Sequence, residues 1–208
     1  MRTFRTALLL VSIFLISCGS YEPYVKYKYN YAPDYTWGYA EFYCDYYKNF
    51  NNANNVVSLS LFSDSLFINS KNELDGTGQY LFIEDLFIAP NDTVFPDGKY
   101  TVSDTGDAFT FYAGEKLDVD DVKYTIGAYI YYIEKNSAFS TVKLIDRGSF
   151  TINNIGGKQK IECDLVLSDS TVLKGSFKAA LAHVDGMYVE STDRAPRKKL
   201  ALKYPVKL

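Results

Sequence analysis

The sequence predicts an all-β domain: an antiparallel meander of about nine strands closing into a barrel, with a two-sheet β-sandwich as the alternative. Three observations lead there. Period-two alternation of apolar and polar residues recurs along the chain, and no stretch beyond Cys18 sustains a helical 3.6-residue repeat. The alternating runs are filled with β-branched and aromatic residues, which suit a pleated, half-buried surface. Asn, Asp, Gly and Ser punctuate these runs at short intervals.

Each expected strand can be read in turn. Residues 37–47 set Ala40, Phe42, Cys44 and Tyr46 against Glu41, Tyr43 and Asp45. Val57, Leu59 and Leu61 alternate with Ser58 and Ser60. Residues 80–88 are apolar on nearly both faces, broken only by Glu84 and Asp85. Two short runs follow at 98–102 and 109–112, then a Tyr- and Ile-rich run at 126–133. Residues 142–152, 160–167 and 172–181 complete the set. Two turns fix pairing among these last three. Ile152 and Ile161 flank Asn153-Asn154-Ile155-Gly156-Gly157-Lys158, and Leu167 and Leu173 flank the tight Ser168-Asp169-Ser170. The inward set of this hairpin series is Phe150 and Ile152, then Ile161, Cys163, Leu165 and Leu167, then Leu173, Phe177, Ala179 and Leu181.

The N-terminus carries an address. Arg2 and Arg5 precede an apolar run from Ala7 to Ile16 that is far shorter than the ~20 residues needed to span a bilayer. The run ends in Leu15-Ile16-Ser17-Cys18-Gly19, which resembles the bacterial lipoprotein signal. That resemblance implies removal of residues 1–17, acylation of Cys18 by several chains, and durable attachment to a membrane face. Expected organisation is then a signal at 1–17, a Tyr-rich tether at 18–36, a β domain at 37–190 and a basic tail at 191–208. Charge follows this division. The whole chain holds 22 basic and 25 acidic groups, and without Arg2 and Arg5 the mature chain has 20 against 25, or −5. Residues 193–208 carry six basic groups and one acidic, or +5, which leaves −10 on 18–192. A body of that sign excludes a nucleic-acid partner bound through a global basic field.

The order of short blocks resembles a module common in lipoproteins of Bacteroidetes gut bacteria. It opens with Ala40-Glu41-Phe42-Tyr43-Cys44-Asp45-Tyr46-Tyr47 and runs through Leu86-Phe87-Ile88 to Pro96-Asp97-Gly98-Lys99-Tyr100-Thr101-Val102. Phe111-Tyr112-Ala113-Gly114 and Ile126-Gly127-Ala128-Tyr129-Ile130-Tyr131-Tyr132 follow. Arg147-Gly148-Ser149-Phe150-Thr151-Ile152, Ile161-Glu162-Cys163-Asp164-Leu165 and Leu173-Lys174-Gly175-Ser176-Phe177 close it. The likeness covers about residues 37–181. It implies a β-rich body at the outer membrane and brings no catalytic residues with it. The Tyr-rich leader and the basic tail depart from the module. Three triplets, Asp64-Ser65-Leu66, Asp92-Thr93-Val94 and Asp169-Ser170-Thr171, resemble the O-glycosylation acceptor pattern of exported proteins of that group, with Ser65, Thr93 and Ser170 as acceptors.

Little in the sequence points to catalysis. His183 is the only imidazole, and no nucleophile elbow accompanies it. With Cys18 acylated, only Cys44, Cys163 and His183 remain as soft metal ligands, so no metal or other cofactor is expected. Asp118-Val119-Asp120-Asp121 lacks the glycine spacing of a calcium loop. Glu41, Glu84 and Asp85 are the strand carboxylates that a glycoside hydrolase would bring together. Cys44 and Cys163 are candidates for a disulfide or for two free thiols. Ten of the 19 tyrosines fall between Tyr21 and Tyr47, and Trp37, Tyr39, Tyr43 and Tyr47 are the candidates for stacking on a ligand. The expected function is a lipid-anchored, non-enzymatic binding module for a glycan or an envelope protein. A carboxylate-dependent hydrolase and a structural or adhesion subunit are the alternatives, and the periplasmic and surface faces of the membrane both stay open.

Overall fold

The structure is a computed structural model describing residues 29–63, 65–119, 121–134 and 141–186, together with the backbone of 201–202. Among these residues it is built almost wholly of strands. The first half comprises β1 (Asp34–Phe42), β2 (Asn55–Ser63), β3 (Leu66–Ile68), β4 (Glu73–Gly76), β5 (Gly78–Ile88), β6 (Gly98–Val102), β7 (Thr110–Phe111) and β8 (Glu115–Val119). The second comprises β9 (Val122–Ile126), β10 (Ala128–Ile133), β11 (Thr141–Ile155), β12 (Lys158–Leu167), β13 (Val172–Leu173), β14 (Ser176–Ala179), β15 (Ala182–Asp185) and β16 (Ala201–Leu202). No helix among the described residues is long and apolar enough to cross a membrane.

One large mixed sheet dominates, with two small sheets, β16-β4-β3 and β8-β9, beside it. Its pairings run from β1 through β2, β5, β10, β11, β12 and β14, and β14 pairs with β1 again. The expected uniform antiparallel meander is therefore corrected. β1 runs parallel to β14 and β15, β6 runs parallel to β7, and the strand count exceeds nine. Alternation records which face a residue occupies and is blind to the direction of the neighbouring strand. The antiparallel series at the C-terminal end forms in the order expected, although the strand expected over 172–181 is broken into β13 and β14, both paired with β12. β11 and β12 make a hairpin with Ile152 opposite Ile161, turning at Gly156-Gly157, both at positive φ (59° and 76°).

The core collects on one face of this circuit. Val57, Leu59 and Leu61 of β2 meet Leu81, Ile83, Leu86 and Ile88 of β5, with Tyr100, Phe111, Phe150 and Phe177 among the largest buried groups. Nine of the ten residues expected to face inward in the last three strands are buried, and Ala179 packs partly buried against them. Three register shifts explain why β1, β5 and β11 carry apolar residues of both parities. In β5, Val57 opposes Leu86 while Leu59 opposes Ile83, so Glu84 and Asp85 together face Ser58. This bulge changes which parity points inward: Leu81 and Ile83 precede it, Leu86 and Ile88 follow it, and all four enter one cluster. A shift between Tyr35 and Trp37 does the same for Tyr35 and Ala40, and one between Ile145 and Arg147 does so for Ile145 and Phe150.

The opposite face holds a second, aromatic cluster. Trp37 stacks on Phe62 at 3.9 Å and Phe62 on Tyr80 at 4.5 Å, and Tyr80, Tyr131, Tyr129 and Phe82 continue the row. Leu66 of β3 and Leu74 of β4 pack on this row, and Trp37 Nε1 donates to the Leu66 carbonyl at 3.0 Å. The strand expected over 37–47 ends at Phe42. Cys44 takes positive φ (50°), which breaks the alternation and leaves it exposed, not in the apolar register expected of it.

Ordered pairing and packing are found on both sides of residues 37–190. β1 begins at Asp34 and pairs with Ser176, Tyr29 packs on the core, and β16 pairs with Glu73 and Leu74 of β4.

Candidate functional site

Between β1 and β2 the chain leaves the sheet as a compact loop. Its neck is closed by Tyr43 N donating to the Val56 carbonyl (2.9 Å) and Val56 N donating to the Cys44 carbonyl (2.8 Å). Loops with such close ends are often binding elements on a rigid scaffold. Inside it a single 3₁₀ turn, Lys48–Phe50, ends at Asn51 in the left-handed conformation. Tyr43, Tyr46 and Tyr47 turn inward and pack with Val56 and Phe87, partly covered by Tyr112. A second loop, joining β6 to β7, faces the first. Ser103 Oγ accepts from Thr105 N and Thr105 Oγ1 accepts from Asp107 N, so short side chains tie the loop to its own backbone.

The two loops are joined through Gly106. Its carbonyl accepts from both Asn52 Nδ2 and Asn54 Nδ2, each at 2.9 Å. Gly106 has φ +68°, and a Cβ there would overlap Asn52 Nδ2, so glycine is required for this close approach. Between the loops lies a cleft of about 450 Å³. Tyr47, Phe50 and Tyr112 give it aromatic walls, and Asn51, Asn52, Asn54, Thr105 and Asp107 supply polar groups. Phe50 is 48% exposed, with its ring edge-on to Tyr47 at 6.2 Å, while Tyr47 is mostly buried. Tyr47 is anchored from below: its hydroxyl donates to Asp85 Oδ1 at 2.9 Å. The β5 bulge supplies that acceptor, since it turns the buried Asp85 carboxylate toward the loop. Glu84, equally buried, accepts from Gly127 N at 2.9 Å.

Of the four expected stacking residues, only Tyr47 reaches this cleft. Trp37 and Tyr39 belong to the aromatic row on the opposite side of β1, and Tyr43 is buried beneath the loop. Burial raises the Tyr39 phenol above its usual range, partly offset by a hydrogen bond with Ser60. Sequence reasoning missed Phe50, Tyr112 and the asparagines, although the Asn-rich run from Asn49 to Asn55 is a visible turn-and-ligand signal.

The strand carboxylates are separated in role. Glu41 accepts from Ser58 Oγ at 3.1 Å, and neither Glu84 nor Asp85 lines the cleft. Cys44 and Cys163 are both free thiols, one exposed and one buried, and burial pushes the Cys163 thiol up to about 12. His183 is exposed on β15 and stacks on Phe42 at 5.4 Å. Ser65, Thr93 and Ser170 are all exposed. Asp169, before Ser170, is held down to about 2 by Lys143 and accepts from Thr171 N at 3.0 Å. Cys18 and most of the basic tail lie outside the described residues. Among the described residues no three His, Cys, Asp or Glu side chains converge as metal ligands.

Comparison of this chain with protein-family models, with curated proteins and with solved structures finds no match in any of the three.

Proposed function

We propose that the chain is a lipid-anchored protein of the bacterial outer membrane whose body is a closed β-barrel and whose cleft binds a carbohydrate, without catalysing a reaction. One observation carries the binding reading: an exposed Phe50 ring and the Tyr47 and Tyr112 rings share a 450 Å³ cleft with three asparagines. Pyranose rings have apolar faces suited to aromatic stacking and hydroxyl edges suited to amides, and both surfaces meet here. The site is also held in advance of binding, with Asn52 and Asn54 fixed on Gly106 and Tyr47 fixed on Asp85. The circuit of pairings returning from β14 to β1, with one core cluster on its inner side, supports the barrel. The signal-like N-terminus and Cys18 support the anchor.

Binding is tested with the mature chain carrying Cys18→Ser, screened on a glycan array. At least one carbohydrate should bind, and Phe50→Ala should weaken it at least tenfold. Phe50 projects from an exposed turn, so this variant should keep its thermal transition. Binding to no glycan, or binding indifferent to Phe50, rules out the cleft as a carbohydrate site. The anchor is tested separately: Cys18→Ser in the precursor should move the protein from the membrane to the soluble fraction, and retention in the membrane contradicts it.

A further inference from the structure

We propose that Asp107 sets the charge selectivity of the cleft, admitting uncharged sugars and rejecting those that carry carboxylate or sulfate. This inference rests on the carbohydrate reading above. Every other residue lining the cleft is neutral, and no Lys or Arg is among them. Asp107 uses its backbone to hold the loop, its N–H on Thr105 Oγ1 and its carbonyl on Thr110. Its carboxylate enters no ion pair and accepts no hydrogen bond among the described residues, so it remains available to a ligand.

Among the described residues, the two loops that form the cleft supply no free counter-charge. Lys48 is the cation of the opposing loop, and its ammonium lies 3.2 Å from Asp45. Asp104 is exposed two residues after Val102, in the same loop as Asp107, and Asp85 stands behind Tyr47. The body carrying the cleft has 14 basic and 24 acidic groups over residues 18–192. An anionic sugar would thus approach a free carboxylate across a few ångströms with no cation of the described cleft lining to balance it. At an effective dielectric between surface and bulk values, such a like-charge contact weakens binding about tenfold. An uncharged sugar meets the same carboxylate as an acceptor for its hydroxyls, and hydrogen bonds to an ionised acceptor are the stronger kind. Asp107 therefore acts through repulsion of one ligand class and attraction of the other.

The experiment uses calorimetric titration of the mature chain carrying Cys18→Ser. The probes are oligosaccharides of equal length in matched pairs: glucose with glucuronate, galactose with galacturonate, mannose with mannuronate. In every pair that binds, the uncharged member should be at least tenfold tighter at low salt. Asp107→Asn should reduce that ratio to less than threefold, and 0.5 M salt should narrow it in the unsubstituted protein. An acidic member that binds as tightly as its partner overturns the inference while leaving the carbohydrate reading intact. So does a ratio that survives Asp107→Asn. Failure of all six probes, together with an empty glycan array, overturns the carbohydrate reading itself.

Discussion

Tyr47→Phe isolates the hydrogen bond that ties the binding loop to the sheet. The substitution removes one hydroxyl and keeps the ring, so the contacts to Tyr46 (5.0 Å), Phe87 (6.0 Å) and Tyr112 (6.2 Å) persist and no sizeable cavity opens. What is lost is a 2.9 Å donor to Asp85, whose residue is only 2% exposed. A hydrogen bond to a charged acceptor contributes about 1.5–3 kcal/mol, and the loss of this donor is placed near the middle of that range. A cost of about 2 kcal/mol corresponds to a fall in Tm of about 4–8 °C for a chain of this size. In urea it shifts the midpoint by about 1 M for a slope of about 2 kcal/mol/M. Trp37, the only tryptophan, stacks on Phe62 away from the cleft, so its fluorescence reports global unfolding and not local loop motion. In an Asp85→Asn background the same substitution should cost less than about 1 kcal/mol, because the acceptor is then neutral. A loss below about 0.5 kcal/mol in the unsubstituted background would show that Asp85 does not hold the loop.

Three further outcomes follow from the core. Burial raises Tyr80 and Tyr129 and pushes Tyr131 and Cys163 up to about 12. The unfolded chain gives up these protons near pH 8.5–10 while the folded chain keeps them, so the unfolded state binds fewer protons as pH rises. Stability should be full below about pH 8 and fall steadily toward pH 12, with tyrosinate absorbance appearing together with unfolding; a flat stability curve to pH 11 would contradict this. In the Cys18→Ser chain, a thiol reagent should label Cys44 at once and Cys163 only after denaturation, giving one reactive thiol native and two unfolded; two in the native state would place Cys163 outside the core. Phe62→Ala removes the ring between Trp37 and Tyr80 and should cost about 3–5 kcal/mol by chemical denaturation, with a smaller loss showing that the row contributes little packing.

The fold class was legible because period-two alternation survives wherever one face of a strand is buried. It gave the hairpin at Gly156-Gly157 and the inward set from Phe150 to Leu181 nearly residue for residue. It failed where parity changes. The 80–88 run looked apolar on both faces because the Glu84–Asp85 bulge swaps them and because both sides of β5 are covered. It also failed at Cys44, where a single positive φ ends a pattern that the residue types alone continue to Tyr47. Strands β3, β4, β8, β9, β15 and β16 were missed, being short or too exposed to show a buried face. The cleft was half legible: Tyr47 was picked out by its type, but Phe50, Tyr112 and Asp107 come together only when two loops separated by about 50 residues meet at Gly106. Nothing local in the sequence encodes that meeting.

The parallel pairing of β1 with β14 and β15 also bears on how the chain can fold. Asp34 and Ser176 are joined side chain to side chain across 142 residues. Until β14 and β15 are available, the far edge of β1 has no strand partner among the described residues and is an open template for any other extended chain. With Tyr39 opposite Ala182 as well, these pairings are among the longest loop closures between the described strands, and closures of that length are slow compared with local hairpin formation. A chain delivered N-terminus first would spend that interval with this backbone edge of β1 unpaired, and would need to be kept from its neighbours until β14 and β15 reach it.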